Sequence, residues 1–366
     1  MKYMDEYRDK AVATALVKKI RAVSSKPIRL MEICGTHTMA IFKHGIRSLL
    51  PDTIELISGP GCPVCVTATE EIDRAVKLAR MPDVTVTTFG DMLRVPGTEA
   101  SLKEEQARGA DVRMVYSTVD ALKMAAQNEE RDVVFLGVGF ETTAPTVAAA
   151  IKTAGDKGQA NFSVLSAHKL LPPAMDALLK GGELNIDGFI CPGHVTTIIG
   201  TSSYEAVVKT YHTPCVVVGF EPIDILQGIL MLVEQIETGR AAVEIQYARG
   251  ATPQGNPGAL RLMDRVFEPC DSPWRGLGSI PQSGLAIRET FAAFDTTKRF
   301  ELSVPPAKEP PGCRCAAVLR GDETPLTCKL FRTSCTPAKP VGPCMVSSEG
   351  TCAAYFRYHL EDAVGR

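Results

Sequence analysis

From about residue 28 to residue 225, the chain alternates short, apolar, β-rich runs with segments of helical periodicity. Continuously apolar strands separated by helices are typical of parallel sheets built from βαβ units, because helices cover both faces of such sheets. We therefore expect an α/β fold with two similar parallel-sheet domains. The predicted strands are Ile28–Ile33, Ile54–Ser58, Val84–Phe89 and Val112–Tyr116 in a first set, and Val133–Val138, Phe162–Ser166, Gly188–Ile190 and Cys215–Gly219 in a second set.

The predicted domain boundaries follow from this pattern. The first α/β domain covers residues 28–130 and the second covers residues 131–235. The amino-acid composition then changes. Residues 250–285 are rich in glycine and proline, and six cysteines stand in the last 54 residues. We expect a third, loop-rich domain within residues 236–366, organised by a metal.

The residues that could bind a ligand or take part in catalysis follow directly after the predicted strands. In open parallel sheets, ligands bind outside the carboxyl ends of the strands. The positions of these residues therefore predict a cleft between the two α/β domains. The motifs that would line it are Cys34-Gly-Thr-His37, Gly59-Pro-Gly-Cys62, Gly90-Asp91, Gly139-Phe-Glu-Thr-Thr143, Ser166-Ala-His168-Lys169, Cys191-Pro-Gly-His194 and Gly219-Phe-Glu-Pro222.

Composition narrows the class of protein. The first ten residues are charged and contain no apolar run, so we expect no secretory signal. No stretch approaches the ~18 apolar residues of a membrane span. The formal charge is −2 and the sequence has no basic run, so we expect no nucleic-acid-binding surface. We expect a cytoplasmic protein, in which clustered cysteines indicate metal binding or catalysis rather than structural disulfides.

The C-terminal cysteine block predicts a metal site. Iron–sulfur clusters usually take four thiolates, whereas zinc sites often use two CxxC pairs, and this block contains no CxxC. One set of four has the loose spacing C-x14-C-x6-C-x16-C, which suits a [4Fe–4S] cluster wrapped by loops. Spacing alone does not choose four of the six, and the two left over are either a second redox pair or small buried residues. The six are Cys313, Cys315, Cys328, Cys335, Cys344 and Cys352.

A second cysteine motif, Cys62-Pro-Val-Cys65, follows a predicted strand and opens a helix. A cysteine at a helix N-terminus faces the positive end of the helix dipole, which lowers the pKa of its thiol. We predict a dithiol–disulfide centre here. Half of a zinc site and a simple turn remain the alternatives.

Single cysteines and histidines give further candidates. Cys34 and His37 place a thiolate and an imidazole within four residues. Such a pair suits iron, zinc or copper, or it forms a nucleophile with its base. His168 and His194 each follow a later strand, and a hydrogen-bonded core histidine is the alternative for both.

Taken together, five motifs resemble the HypD family of [NiFe]-hydrogenase maturation factors. They run from residue 34 to residue 352, so the resemblance covers nearly the whole chain. It implies two α/β domains and a third domain in which residues 1–27 join residues 236–366 around a [4Fe–4S] cluster. The motifs are Cys34-Gly-Thr-His-Thr38, Gly59-Pro-Gly-Cys-Pro-Val-Cys65, Gly139-Phe-Glu-Thr-Thr-Ala-Pro145, Cys191-Pro-Gly-His-Val195 and the C-x14-C-x6-C-x16-C tail.

The same resemblance implies a function. Members of this family act with the small partner HypC as the scaffold on which an Fe(CN)2CO group is assembled, so an Fe(II) ion carrying CN and CO is the cargo. HypE supplies cyanide, which it carries as a thiocyanate on its own C-terminal cysteine, and HypC provides a route to the hydrogenase large-subunit precursor. The implied protein is a metallocentre-assembly scaffold with redox activity rather than a conventional turnover enzyme.

Carried over residue by residue, the resemblance makes Cys34 an iron ligand shared with a cysteine of HypC. Cys62 and Cys65 would be the dithiol of a thioredoxin-like redox relay, and His194 would line the assembly cleft. The alternative hypothesis is a free-standing iron–sulfur dithiol/disulfide oxidoreductase, and a third is a zinc-binding structural protein. The implied cluster ligands are Cys313, Cys328, Cys335 and Cys352.

Overall fold

A computed structural model describes residues 5–181 and 185–359 as an α/β protein with a cysteine-rich segment. Residues 1–4, 182–184 and 360–366 of the predicted domains lie outside the described residues. The strands, in chain order, are β1 (Ile28–Glu32), β2 (Ile54–Ser58), β3 (Val84–Thr88), β4 (Val112–Met114), β5 (Asp132–Gly139), β6 (Phe162–His168), β7 (Gly188–Pro192), β8 (Cys215–Val218), β9 (Val243–Ile245), β10 (Phe267–Trp274) and β11 (Gly278–Ile287).

Helices fill most of the connections between these strands. They are α1 (Lys10–Val23), α2 (Gly35–Lys43), α3 (Ile46–Leu49), α4 (Pro63–Val66), α5 (Thr69–Ala79), α6 (Leu102–Ala107), α7 (Thr118–Gln127), α8 (Ala144–Lys157), α9 (Leu171–Lys180), α10 (Gly193–Ile199), α11 (Glu205–Tyr211), α12 (Pro222–Glu237), α13 (Pro257–Val266), α14 (Thr296–Arg299), α15 (Cys315–Arg320) and α16 (Thr351–Tyr358). Short 3-10 turns lie at Asp5–Tyr7, Gly90–Arg94, Thr201–Tyr204, Glu289–Phe294, Pro325–Thr327 and Pro343–Met345. Among the described residues, none of the helices is both long enough and apolar enough to cross a bilayer.

Two parallel sheets form the framework. The first has the strand order β2-β1-β7-β8-β9, and the second has the order β4-β3-β5-β6. Their central strands are buried almost throughout, as their continuous apolar sequences predict for sheets covered on both faces. The register of β1 on β2 runs from Ile28 opposite Ile54 to Glu32 opposite Ser58, which brings their carboxyl ends side by side.

The eight predicted strands are confirmed to within a few residues, but their grouping into sets was wrong. The chain forms β1 and β2, leaves to build the whole second sheet from β3 to β6, and returns with β7 to β9. The division between the sheets therefore does not follow the predicted domains 28–130 and 131–235. An apolar run indicates that a strand is buried, but it carries no information about which strand lies beside it.

The N-terminal helix α1 packs against α12, on one face of the first sheet. It begins after Asp9, whose carboxylate accepts two hydrogen bonds from N–H groups of the first turn. Its apolar face packs on α12, with Ile20 fully buried, and α12 covers the first sheet. β9 completes that same sheet. Residues 1–27 also reach residues 236–366, since Ser25 and Lys26 donate hydrogen bonds to Glu237 and Arg249 stacks on Tyr7. Their predicted union in one cluster domain stays a prediction.

The glycine- and proline-rich stretch predicted as loops contains an antiparallel hairpin of β10 and β11. The hairpin packs beside the second sheet, where Lys169 pairs with Gly284. Its tip reaches toward the cysteine-rich segment, in which short helices and turns replace longer elements. This arrangement places the cysteine-rich segment next to the loops at the carboxyl ends of β1 and β2.

Candidate functional site

Cys34 lies just beyond the carboxyl end of β1, at the first turn of α2. The loop after the neighbouring strand β2 packs directly against it, since the Gly61 carbonyl accepts a hydrogen bond from the Gly35 N–H at 2.9 Å. A Cβ atom on Gly61 would lie only 2.1 Å from the Cys34 nitrogen, so a residue with a side chain does not fit there. The Cys34 motif and the motif that ends in Cys62 are therefore neighbours in space.

The Cys34 thiol is half-buried, and its pKa is raised to about 11. Burial is the main cause, and the carboxylate of Glu349 adds to it. The backbone N–H groups of His37 and Thr36 act in the opposite direction by bonding to the sulfur. At neutral pH the group is a thiol, so binding a metal must release its proton.

Glu349 belongs to this site although it was not predicted. Its Oε1 accepts a hydrogen bond from the Thr36 hydroxyl at 2.7 Å. Gly35 makes room for it, because a Cβ atom there would lie 2.5 Å from the Cβ of Glu349. The one signal in the sequence is that Glu349 stands three residues before Cys352.

Two histidines flank the ring of Phe220 beside this site. The ring centroid of Phe220 lies 4.7 Å from that of His37 and 4.1 Å from that of His194. His37 is buried, its Nε2 donates to the Gly219 carbonyl at 2.9 Å, and burial lowers its pKa to about 4. His194, on the first turn of α10, is exposed instead. Of the two histidines, His37 is engaged by the backbone and His194 is the more exposed residue.

Cys62 and Cys65 lie at the two ends of the single turn α4. The Cys62 sulfur accepts a hydrogen bond from the Cys65 N–H at 3.3 Å, and both side chains are buried. Burial raises the pKa of the Cys65 thiol, which lies at the opposite end of this turn from the helix N-terminus. The Cys65 thiol also donates to the Pro343 carbonyl at 4.0 Å, which joins the dithiol to the cysteine-rich segment.

All six C-terminal cysteines line one small cavity. Apolar side chains such as Leu330, Phe331 and Met345 complete its wall. Contact with Cys315, followed by burial, raises the pKa of the Cys313 thiol. The cysteines around the cavity are Cys313, Cys315, Cys328, Cys335, Cys344 and Cys352.

Cys315 and Cys344 form a close pair within this set. Their sulfur atoms are 2.8 Å apart, and both side chains are buried. Cys344 directly follows Pro343, so the pair adjoins the Cys65 thiol. These cysteines share one apolar cluster with Cys62 and with Trp274 from the hairpin. A continuous row of thiols therefore connects the cavity with the loop beside Cys34.

The donor set around the cavity is compatible with an iron–sulfur cluster. Among residues 5–181 and 185–359, no three His, Cys, Asp or Glu side chains surround one point as the ligands of a single metal ion do. A four-iron cluster makes a different demand, because each cysteine binds its own iron and the sulfurs stand around a larger volume. The six cysteines that line the cavity include the four that the resemblance to the HypD family implies as cluster ligands, Cys313, Cys328, Cys335 and Cys352.

Other residues of the predicted cleft have structural partners. His168 is buried, its Nδ1 lies 3.1 Å from the Ser166 hydroxyl, and burial lowers its pKa to about 3. Glu141 accepts a hydrogen bond from the Leu171 N–H at the start of α9 at 2.9 Å, and burial raises its pKa to about 7. Glu221 accepts a hydrogen bond from Arg8 at 2.5 Å. These contacts connect separate parts of the fold.

Comparisons with known proteins extend over the whole site. The family model HypD, described as "Hydrogenase formation hypA family", matches residues 11–359. Hydrogenase maturation factor HypD of Azotobacter vinelandii is 50% identical over 367 residues, covering 98% of this chain and 97% of that protein. HypD2 of Bradyrhizobium diazoefficiens is 48% identical over 368 residues, with the same coverage. HypD of Cupriavidus necator is 47% identical over 368 residues, again covering 98% and 97%. The similarity includes both sheets and the cysteine-rich segment.

Proposed function

The chain belongs to the HypD family of hydrogenase maturation factors, and on that basis we propose that it is the scaffold on which the Fe(CN)2CO group of a [NiFe]-hydrogenase is assembled. It would act with a small HypC-like partner, accept cyanide from a HypE-type donor and pass the iron toward the hydrogenase large-subunit precursor. The observation that carries the proposal is the row of buried thiols between the cysteine-lined cavity and the loop beside Cys34. We expect this assembly to take place in the cytoplasm.

Cys34 is the proposed holder of the iron under assembly. A thiolate is a soft ligand that suits iron in a low-spin state, which cyanide and CO favour. Cys34 is half-buried at strand ends and is bordered by Glu349, with His194 nearby. This setting leaves an approach for a second thiolate from the partner. The raised pKa of Cys34 means that iron displaces a proton from the thiol when it binds.

Cys62 and Cys65 are the proposed source of electrons for releasing cyanide. Cleaving the S–C bond of a thiocyanate to give a thiolate and cyanide takes two electrons. Oxidation of one dithiol to a disulfide yields two electrons and two protons, so one Cys62–Cys65 pair balances one cyanide. The position of Cys62 in the loop that packs on Cys34 supports delivery at that place.

The remaining thiols would reduce the oxidised Cys62–Cys65 pair back to a dithiol. Cys315 and Cys344, with their sulfurs 2.8 Å apart and Cys65 adjacent, are placed for thiol–disulfide exchange with the dithiol. A [4Fe–4S] cluster, when bound, would supply electrons one at a time. Its proposed ligands are Cys313, Cys328, Cys335 and Cys352.

A free-standing iron–sulfur dithiol/disulfide oxidoreductase is the second candidate, because the same row of thiols would serve it. Only the scaffold hypothesis gives Cys34 a role, as the ligand of the iron under assembly. The two candidates therefore differ in whether the purified protein carries an iron with diatomic ligands.

Infrared spectroscopy on anaerobically purified complex with the small partner tests the proposal. We expect bands of metal-bound CO and CN, together with iron and sulfide contents that account for one cluster and one further iron. Cluster absorption with disulfide reductase activity but no CO or CN bands would reject the scaffold in favour of the oxidoreductase. A colourless protein without sulfide would reject both and favour a zinc protein.

A further inference from the structure

The tip of the β10–β11 hairpin contacts the segments that carry the relay cysteines. The Arg275 N–H donates to the Val66 carbonyl at the end of α4 at 2.9 Å, and Arg275 Nε donates to the Thr67 carbonyl at 3.0 Å. The next residue, Gly276, lies against α15, the helix that begins at Cys315. A Cβ atom on Gly276 would lie 2.8 Å from the Ala316 Cα, so the hairpin tip and α15 are in tight contact.

A third segment reaches the same arginine. Residues 305–311 form the proline-rich link that enters the cysteine block at Cys313. Glu309 in this link accepts a hydrogen bond from Arg275 Nη1 at 3.0 Å and another from the Thr69 hydroxyl at 2.8 Å. The guanidinium of Arg275 therefore bonds both to the end of α4, the turn that carries Cys62 and Cys65, and to the link before Cys313, a proposed cluster ligand.

Arg275 is buried to an unusual degree for a charged residue. Its side chain is 1% exposed, and its Nη2 is buried without a hydrogen-bond partner among the residues that the structure describes. Burying an ion costs several kcal/mol unless close partners offset the cost. The planar fork of an arginine holds several acceptors in one fixed geometry, which the point charge of a lysine does not do.

We propose that Arg275 is a positioning residue of the thiol relay, fixing the Cys62–Cys65 turn relative to the link before Cys313. The inference rests on the proposed relay function and adds a residue to it. By holding α4, Arg275 keeps the Cys65 N–H on the Cys62 sulfur, a contact that stabilises the reduced pair. Loosening the turn removes this contact and shifts the equilibrium of the pair toward its disulfide.

The test is a redox titration of the anaerobically purified, cluster-containing protein. The protein is equilibrated in dithiothreitol redox buffers, and the oxidised fraction of Cys62–Cys65 is read by thiol alkylation and mass spectrometry. Arg275→Gln should shift the equilibrium constant about tenfold toward the disulfide, which corresponds to about 30 mV. Arg275→Lys keeps the charge but loses the fork, so we expect a shift of about fivefold.

Two further variants keep the test decisive. Glu309→Gln changes only the exposed end of the contact and should shift the constant about threefold, because it weakens a charge-assisted hydrogen bond. Arg288→Gln is the matched control, since Arg288 pairs with Glu268 on the same hairpin at 3.2 Å, and it should leave the constant unchanged.

Several outcomes would overturn the proposal. One is that Arg275→Gln and Glu309→Gln both titrate within twofold of the wild-type protein, and another is that Arg275→Lys restores the wild-type value. If Arg275→Gln does not fold, the Glu309 and lysine variants decide the matter. If the wild-type Cys62–Cys65 pair does not titrate as a dithiol, the relay itself fails and the role of Arg275 falls with it.

Discussion

The Cys34 site and the cysteine-lined cavity use the same side chain in opposite surroundings. Cys34 is half-buried, with Thr36 and Glu349 as its polar neighbours and a raised pKa. The cysteines of the cavity contact one another and apolar side chains such as Phe331. A thiol that a partner can reach suits a cargo that arrives and leaves, whereas thiols in mutual contact suit electron exchange.

The difference shows that the role of a cysteine depends less on how many cysteines the chain has than on the distance between their sulfurs and the polarity around them. The two regions meet at the Cys62–Cys65 turn, which packs on the loop beside Cys34 and bonds to Pro343, next to Cys344 of the cavity. They also meet at Glu349, which bonds to Thr36. We expect a change of one thiol to leave the thiols of the other region in place, while changes at the Cys62–Cys65 turn should interrupt electron exchange between the regions.

The largest effect is expected from a proposed cluster ligand. Cys328→Ala removes one of four donors, so the visible absorption and the sulfide content should fall about tenfold or more. The rate of Cys34 alkylation should stay the same, because that thiol lies in the other region. Cys270→Ala, which changes a half-buried cysteine of the hairpin, is the control and should change neither reading. Full absorption in Cys328→Ala would remove Cys328 from the ligand set.

The next largest effect is expected where the regions meet. Cys344→Ser removes the thiol beside Cys65, so reduction of the Cys62–Cys65 disulfide after addition of dithionite should slow about 100-fold. Alkylation at timed intervals measures this rate, and the cluster absorption should be retained. If the absorption disappears with Cys344, this residue is a cluster ligand and the assignment of the pair is wrong.

Acid should weaken the fold around Cys34 through His37. Its pKa is about 4 in the folded protein and near 6.5 when unfolded, so its contribution to stability is present above pH 6.5 and is lost as the pH falls toward 4. His37→Gln cannot take up this proton. From pH 7 to pH 4, the free energy of unfolding should fall in both proteins, and the fall should be about 3 kcal/mol smaller in the His37→Gln variant than in the wild type. Urea unfolding at each pH measures the difference, and parallel pH curves would contradict the burial argument.

The smallest effect is expected from Glu349. In protein without iron at Cys34, Glu349→Gln removes a negative charge, so the pKa of Cys34 should fall below about 11. Alkylation of Cys34 at pH 9 should become about threefold faster, since the thiolate is the reacting species. Glu289→Gln, at an exposed pair with Lys298, is the control and should react as the wild type does. A slower reaction in Glu349→Gln would mean that its hydrogen bond with Thr36 outweighs its charge.

The sequence predicted what depends on short stretches of chain. Strands appear as apolar runs, and the motifs after β1 and β2 fall at strand ends because the turn into a helix is encoded locally. The strand order was not predictable, since β7 pairs with β1 across more than a hundred intervening residues. Glu349 and Arg275 were missed for the same reason, because each acts on residues far away in the chain. Spacing likewise left six cysteines equivalent, and only the resemblance to the HypD family singled out four of them as cluster ligands.

The proposed separation of an iron-holding site at Cys34 from an electron-supplying site in the cavity is tested most directly by Cys34→Ala in the anaerobically purified complex with the small partner. Infrared and visible spectra of one sample report on the two regions at the same time. We predict that the bands of metal-bound CO and CN disappear while the cluster absorption stays at the wild-type level. Loss of the cluster absorption in this variant, or persistence of the CO and CN bands, would contradict the assignment of Cys34 as the holder of the iron under assembly.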